Sequence, residues 1–131
     1  MAKLRVISII DDDASVRQAT ARLVRSLGYR ADVFASAEEY LQSGRIRDSS
    51  CLIADLHMPG MSGADLQDRL AAEGYRIPIV FMTAYFEEKT RDRVMKAGAF
   101  GFLRKPFDNA SLIKHLETAL QGSDPAADRN Q

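Results

Sequence analysis

Several polar residues in this chain stand where short apolar runs end. Asp11-Asp12-Asp13 follows Val6 to Ile10, Asp55 follows Cys51 to Ala54, Thr83-Ala84 ends the run from Ile79, and Lys105 comes just after Phe100 to Leu103. If those runs are parallel strands, their carboxyl ends share one edge of a sheet, which is where open α/β sheets bind ligands. Carboxylates gathered there repel, since two unit charges 4 Å apart cost about 4 kcal/mol at an effective dielectric near 20. A cation must compensate. Hard carboxylate oxygens suit Mg²⁺, which takes one or two carboxylates, keeps several waters and shares the rest of its shell with a phosphate. Lys105 supplies a second positive charge. A carboxylate beside a divalent ion, an ammonium and a Thr hydroxyl is equipped to accept a phosphoryl group, because the cations neutralise charge on the transferring oxygens. Asp55 is the candidate nucleophile, placed before the loop Leu56 to Gly63, in which Pro59-Gly60 marks a tight turn.

Those residues need elements to hold them together. The runs Val6 to Ile10, Ala31 to Ala35, Cys51 to Ala54, Ile79 to Thr83 and Phe100 to Leu103 have strand length and are rich in β-branched or aromatic residues. Between them, Val16, Thr20, Leu23 and Leu27 recur at helical steps, as do Leu66 with Leu70, Thr90 with Val94, and Leu112 with Leu116 and Leu120. The spacing predicts helices that each bury one face. Ser36 with Glu39 and Ser62 with Asp65 read as capping boxes, Asp13 and Asp108 as N-caps, and Gly28, Gly74 and Gly98 as stops. Strict alternation of strand and helix predicts an α/β domain with a parallel sheet covered on both faces by right-handed crossovers. That domain is expected to span residues 1–121. From Gly122 to Gln131 no apolar period continues, and a flexible tail is expected.

Composition narrows the function. The 131 residues suffice for one ordinary domain, with 46% apolar and 27% charged residues, as in a soluble globular chain. Eighteen Lys and Arg balance eighteen Asp and Glu, which argues against an extensive nucleic-acid-binding face. The lone Cys51 sits in an apolar run and reads as a buried, inert thiol suited to a reducing compartment. No apolar run approaches the roughly 20 residues that span a bilayer, and the amino terminus lacks a signal peptide's apolar stretch. A cytoplasmic protein without a membrane partner is therefore expected. His115, on the last helical pattern, reads as a solvated residue.

The motifs Ile9-Ile10-Asp11-Asp12-Asp13, Asp55 with Met58-Pro59-Gly60-Met61-Ser62-Gly63, Thr83-Ala84, Met95-Lys96-Ala97-Gly98-Ala99 and Lys105-Pro106-Phe107 occur in order along the chain. Together they resemble the receiver domains of two-component response regulators, from Lys3 to about Leu120, and within them the FixJ-like subfamily. The resemblance implies a flavodoxin-like, CheY-like (βα)5 fold with strand order 2-1-3-4-5. It implies that Asp11 and Asp12 bind Mg²⁺ together with Asp55 and the backbone carbonyl of His57, and that Asp55 is the phosphoacceptor. Thr83 and Ala84, Lys105 and the aromatic Phe102 would bind the phosphoryl group and switch, with a cis bond between Lys105 and Pro106. The implied donor is a sensor histidine kinase or a histidine phosphotransfer protein. The implied output is a face made by the fourth helix, fifth strand and fifth helix, used by a homodimer or an output partner. Tyr85-Phe86-Glu87-Glu88 departs from the Gly-His-Gly-Asp type of segment expected there, which points to a specialised rim.

Two other chemistries fit less well. A haloacid-dehalogenase-type phosphatase pairs its Asp nucleophile with a second Asp two residues later, and that position is His57. A flavodoxin-type FMN site needs Ser, Thr and Gly after the first strand, where Asp11-Asp12-Asp13 would repel a phosphate.

Overall fold

A computed structural model describes residues 5–122. The strands are β1 (Val6–Ile10), β2 (Arg30–Phe34), β3 (Ser49–Asp55), β4 (Ile79–Thr83) and β5 (Gly101–Arg104). The helices are α1 (Ala14–Ser26), α2 (Ala37–Gln42), α3 (Gly63–Ala72), α4 (Glu88–Lys96) and α5 (Asn109–Gly122), with a 3₁₀ turn at Ile46–Asp48. Every strand pair is parallel and the sheet order is β2-β1-β3-β4-β5. This is the doubly wound arrangement that the alternation predicts. The flanking runs shift by a residue: β2 begins at Arg30, and β5 covers Gly101–Arg104, leaving Phe100 outside it and partly exposed.

Central strands are apolar throughout because both of their faces are covered. Ile7, Ile9, Cys51, Ile53, Val80 and Met82 pack under α1 and α5, against Val24, Leu112 and Leu116. Ile10, Leu52, Ala54 and Phe81 face the other way, against Tyr40, Leu66, Leu70 and Val94 of α2, α3 and α4. Cys51 is fully buried, and burial pushes its thiol up to about 12, so it stays protonated and inert. No described helix is long and apolar enough to cross a membrane.

Helix boundaries follow the capping chemistry. Asp13 caps α1 by accepting the Ser15 and Val16 N–H groups, Ser62 and Asp65 form a complete capping box on α3, and Asp108 accepts the Ser111 N–H. At α2 the Ser36 hydroxyl accepts the Glu39 N–H, but Glu39 reaches back to Ala35 rather than to Ser36. Helix α1 corrects one expectation. Its sheet-facing stripe is Thr20, Ala21 and Val24, whereas Leu27 is 37% exposed at the C-cap. Val16, Thr20 and Leu23 line an open groove of about 400 Å³ shared with Pro106, Phe107 and Leu112, so their helical spacing serves that groove. Helix α5 continues through Gly122, and the remainder of the expected tail, residues 123–131, lies outside the described residues.

Candidate functional site

Strand order reverses between β1 and β3, and Ile10 pairs with Ala54, so Asp11 and Asp55 leave the sheet side by side. Asp11 is fully buried, Asp55 is 6% exposed and Asp12 is exposed. Each of the three offers a carboxylate oxygen within 4.8 Å of the others. Lys105 reaches in from the end of β5: its Nζ donates to Asp11 Oδ2 at 2.8 Å and to Asp55 Oδ2 at 2.9 Å. The Lys105–Pro106 peptide is cis. The Lys105 backbone N–H donates to Thr83 O at 2.7 Å, which ties the Lys-bearing turn to the end of β4.

The second oxygen of each buried carboxylate is also engaged. Asp11 Oδ1 accepts the Asp13 N–H at 2.9 Å, and Asp55 Oδ1 accepts the His57 N–H at 3.0 Å. These bonds fix the carboxylates before any ligand arrives. Burial holds the Asp55 carboxyl above the ordinary carboxylate value, an effect opposed by Lys105 and the His57 N–H and reinforced by the charge of Asp11. For Lys105, burial disfavours the ammonium, but the hydrogen bonds and charges of Asp11 and Asp55 outweigh it, so the net shift is upward. The site thus concentrates negative charge around one cation. A cluster of carboxylate oxygens, two of them nearly dry, is a hard donor set of the kind that Mg²⁺ takes, and the residues fit that ion.

A model of the response regulator receiver domain matches residues 7–117. The chain belongs to that family. The receiver domain is 41% identical over 116 residues to the response regulator protein TmoT of Ectopseudomonas mendocina, covering 88% of this chain and 53% of that protein. In structure it resembles the response regulator StyR, with TM-score 0.87 and 40% identity over 98% of this chain and 64% of that one. It also resembles FixJ-N, with TM-score 0.81 and 30% identity over 92% of this chain and 96% of that one. The chain spans about half the length of the curated relatives it matches.

Other residues singled out in the sequence sit around this centre, and among them only the His57 N–H is hydrogen-bonded to Asp55. Thr83 is 1% exposed, and its hydroxyl donates to Tyr85 O and accepts the Tyr85 N–H, both at 3.0 Å. Ala84 is exposed and lines the groove beside Lys105. Phe102 is half-buried, edge-on to Phe86 with ring centroids 5.9 Å apart, and the Arg104 guanidinium lies 4.5 Å from the Phe86 ring centre. His57 Nε2 donates to Tyr85 O at 3.3 Å, and the two rings meet edge to face, so the rim that departs from the FixJ-like pattern is a bridge between two loops of the receiver domain. The sequence reading missed His115 as a packed residue. It is half-buried over Gly101, with its ring Nδ1 against Ser111 O at 2.8 Å. A glycine inside a strand was the available signal, since it permits close approach.

Proposed function

We propose that this receiver domain accepts a phosphoryl group on Asp55 from a phosphohistidine of a sensor kinase or a histidine phosphotransfer protein, in the cytoplasm. The observation that carries the reading is the Lys105 ammonium bridging Asp11 and Asp55 while Asp12 completes the carboxylate cluster. An Asp55 carboxylate oxygen attacks phosphorus, forming the O–P bond as the P–N bond to imidazole breaks and the electron pair leaves with the ring nitrogen. Asp11, Asp12, Asp55 and the His57 carbonyl would hold Mg²⁺, which would neutralise charge on the transferring oxygens. Lys105 takes the phosphoryl oxygens from its side of the cluster, and Thr83 and Ala84 meet them from the end of β4. The groove of Val16, Leu23, Pro106, Phe107 and Leu112 opens beside Lys105 and offers the donor protein an apolar footing next to the acceptor. Output passes through the face of α4, β5 and α5, to a homodimer or an output domain, with no direct nucleic-acid contact by this domain.

The test uses acetyl phosphate as a small donor and intact-mass spectrometry. Wild type gains one phosphoryl group only when Mg²⁺ is present, and Asp55→Asn stays unmodified. Equal labelling of Asp55→Asn would show that the acceptor lies elsewhere.

A further inference from the structure

Glu38, in the first turn of α2, reaches the loop between β3 and α3. Its Oε2 accepts the Met61 N–H at 3.0 Å. The same oxygen lies so near Gly60 that a Cβ there would stand 2.5 Å from it. Gly60 has a φ of +79°, the left-handed region, so glycine serves both the turn and the approach of the carboxylate. Glu38 Oε1 is buried without a hydrogen-bond partner, an arrangement that costs free energy. The helix does not require it, because Ser36 already caps α2 and Glu39 secures Ala35. Among the described residues, Glu38 is the side chain that bonds the backbone of this loop between His57 and Ser62.

Besides the closure of Gly63 N–H on Leu56 O and the His57 ring on Tyr85 O, the loop is held by the His57 N–H on Asp55, the Met61 N–H on Glu38 and the Ser62 cap on α3. We propose that Glu38 is a positioning residue for the metal site, holding Gly60 and Met61 so that the His57 carbonyl stays aligned for Mg²⁺. The inference rests on the metal set given above and adds to it a residue from a different layer of the fold. Partners that orient a ligand from outside the coordination sphere set affinity without touching the ion.

Mg²⁺ binding is read, without any donor, from the rise of melting temperature along a Mg²⁺ titration, and independently from the Mg²⁺ dependence of labelling by acetyl phosphate. Glu38→Ala raises the Mg²⁺ half-saturation concentration about tenfold in both. Glu38→Gln, which keeps an acceptor for the Met61 N–H, stays near wild type. Gly60→Ala, which drives a Cβ toward an intact Glu38, shifts half-saturation in the same direction as Glu38→Ala. If Glu38→Ala lowers only the metal-free melting temperature and leaves the half-saturation concentration unmoved, the residue is merely structural and the inference falls. A wild type that responds to Mg²⁺ in melting temperature but is not labelled on Asp55 overturns the functional reading alone, and one with no Mg²⁺ response overturns the metal set and this inference together. A normal wild type beside an unmoved Glu38→Ala overturns the inference alone.

Discussion

Lys105 is ion-paired to Asp55, with Nζ 2.9 Å from Oδ2. The same ammonium lies 2.8 Å from Asp11 Oδ2, so one cation compensates two buried carboxylates. Removing one partner of a buried pair leaves uncompensated charge, which costs about 3 kcal/mol. Lys105→Met in metal-free buffer is expected to lose about that much stability in urea denaturation. Because a ligand that binds only the native state stabilises it, Mg²⁺ should restore a large share of the loss. Asp12 behaves differently, since it is exposed and its repulsion is screened by water. Asp12→Ala should change metal-free stability little while blunting the Mg²⁺ response. A Lys105→Met protein as stable as wild type without metal would remove Lys105 from this role.

The raised Asp55 pKa sets a pH dependence. Between the ordinary value of 3.8 and its value in the fold, the native state holds more protons than the unfolded chain, so this group's contribution to stability falls as pH rises through that window. Lys105 is shifted in the same direction from 10.5, so its favourable contribution is complete below that value and is lost only in strong alkali. It does not mask the acid window. Metal-free Asp55→Asn should therefore show a flatter stability profile than wild type above pH 3.8, followed by urea denaturation at a series of pH values. Parallel profiles for the two proteins would mean that Asp55 titrates normally.

The sheet was legible because its strands are buried on both faces, which leaves near-continuous apolar runs such as Val6–Ile10, broken only by Ser8, and Ile79 to Met82. Asp11, Asp55 and Lys105 were legible for the same reason, as the polar residues where those runs stop. Helix α1 was less so, because apolar spacing reports that a stripe is covered and not by what. Val16 and Leu23 turn to the groove against α5, while the smaller Ala21 meets the sheet. Glu38 looks in the sequence like any acid favoured by a helix amino terminus. Its partner Met61 is 23 residues away, a pairing that only the folded β3–α3 loop creates. For Thr83 the residue was recognisable but its bonds were not, since they run to the backbone of Tyr85, whose side chain carries no signal of them.

Gly101 carries a stability prediction. An added Cβ would lie 2.2 Å from His115 Cδ2, and the His115 ring is held by its bond to Ser111 O. Gly101→Ala should cost about 1–3 kcal/mol by overpacking. In the background of His115→Ala the same substitution should cost much less, and the difference is the coupling energy of the two positions in a double-mutant cycle of urea denaturation. Additive effects would show that the ring moves aside freely.

The proposed output switch would begin at Thr83, whose hydroxyl is occupied by the Tyr85 backbone. A phosphoryl group on Asp55 adds about 1.5 to 2 negative charges and three acceptor oxygens close to the end of β4. A hydrogen bond to a charged acceptor contributes about 1.5–3 kcal/mol, against about 1 for each of the two neutral bonds the hydroxyl would give up at Tyr85, so the exchange is balanced to within about 1 kcal/mol and can tip toward the phosphoryl oxygen. That move would free the Tyr85 backbone and vacate space beside β5, into which Phe102 would turn. Phe102 would then leave Phe86, and Arg104 and Phe86 would repack on the surface that α4 and β5 share. Arg93 of α4 is ion-paired to Asp68 and Asp65 of α3 through exposed side chains. Converting such an equilibrium almost completely takes about 5.5 kcal/mol of differential interaction, more than this exchange alone supplies, so it would shift the population only part of the way. Amide NMR shifts with and without beryllofluoride, a stable mimic of the phosphoryl group, test the sequence of events in wild type and Thr83→Ala. Wild type should show large changes from Thr83 to Phe107, including Phe86, Phe102 and Arg104, with α3 little affected. Thr83→Ala should bind the mimic yet show attenuated changes at Phe102 and Phe86. Changes confined in wild type to the loops around Asp11 and Asp55 would sink the switch through β5 and leave a receiver that signals by another face.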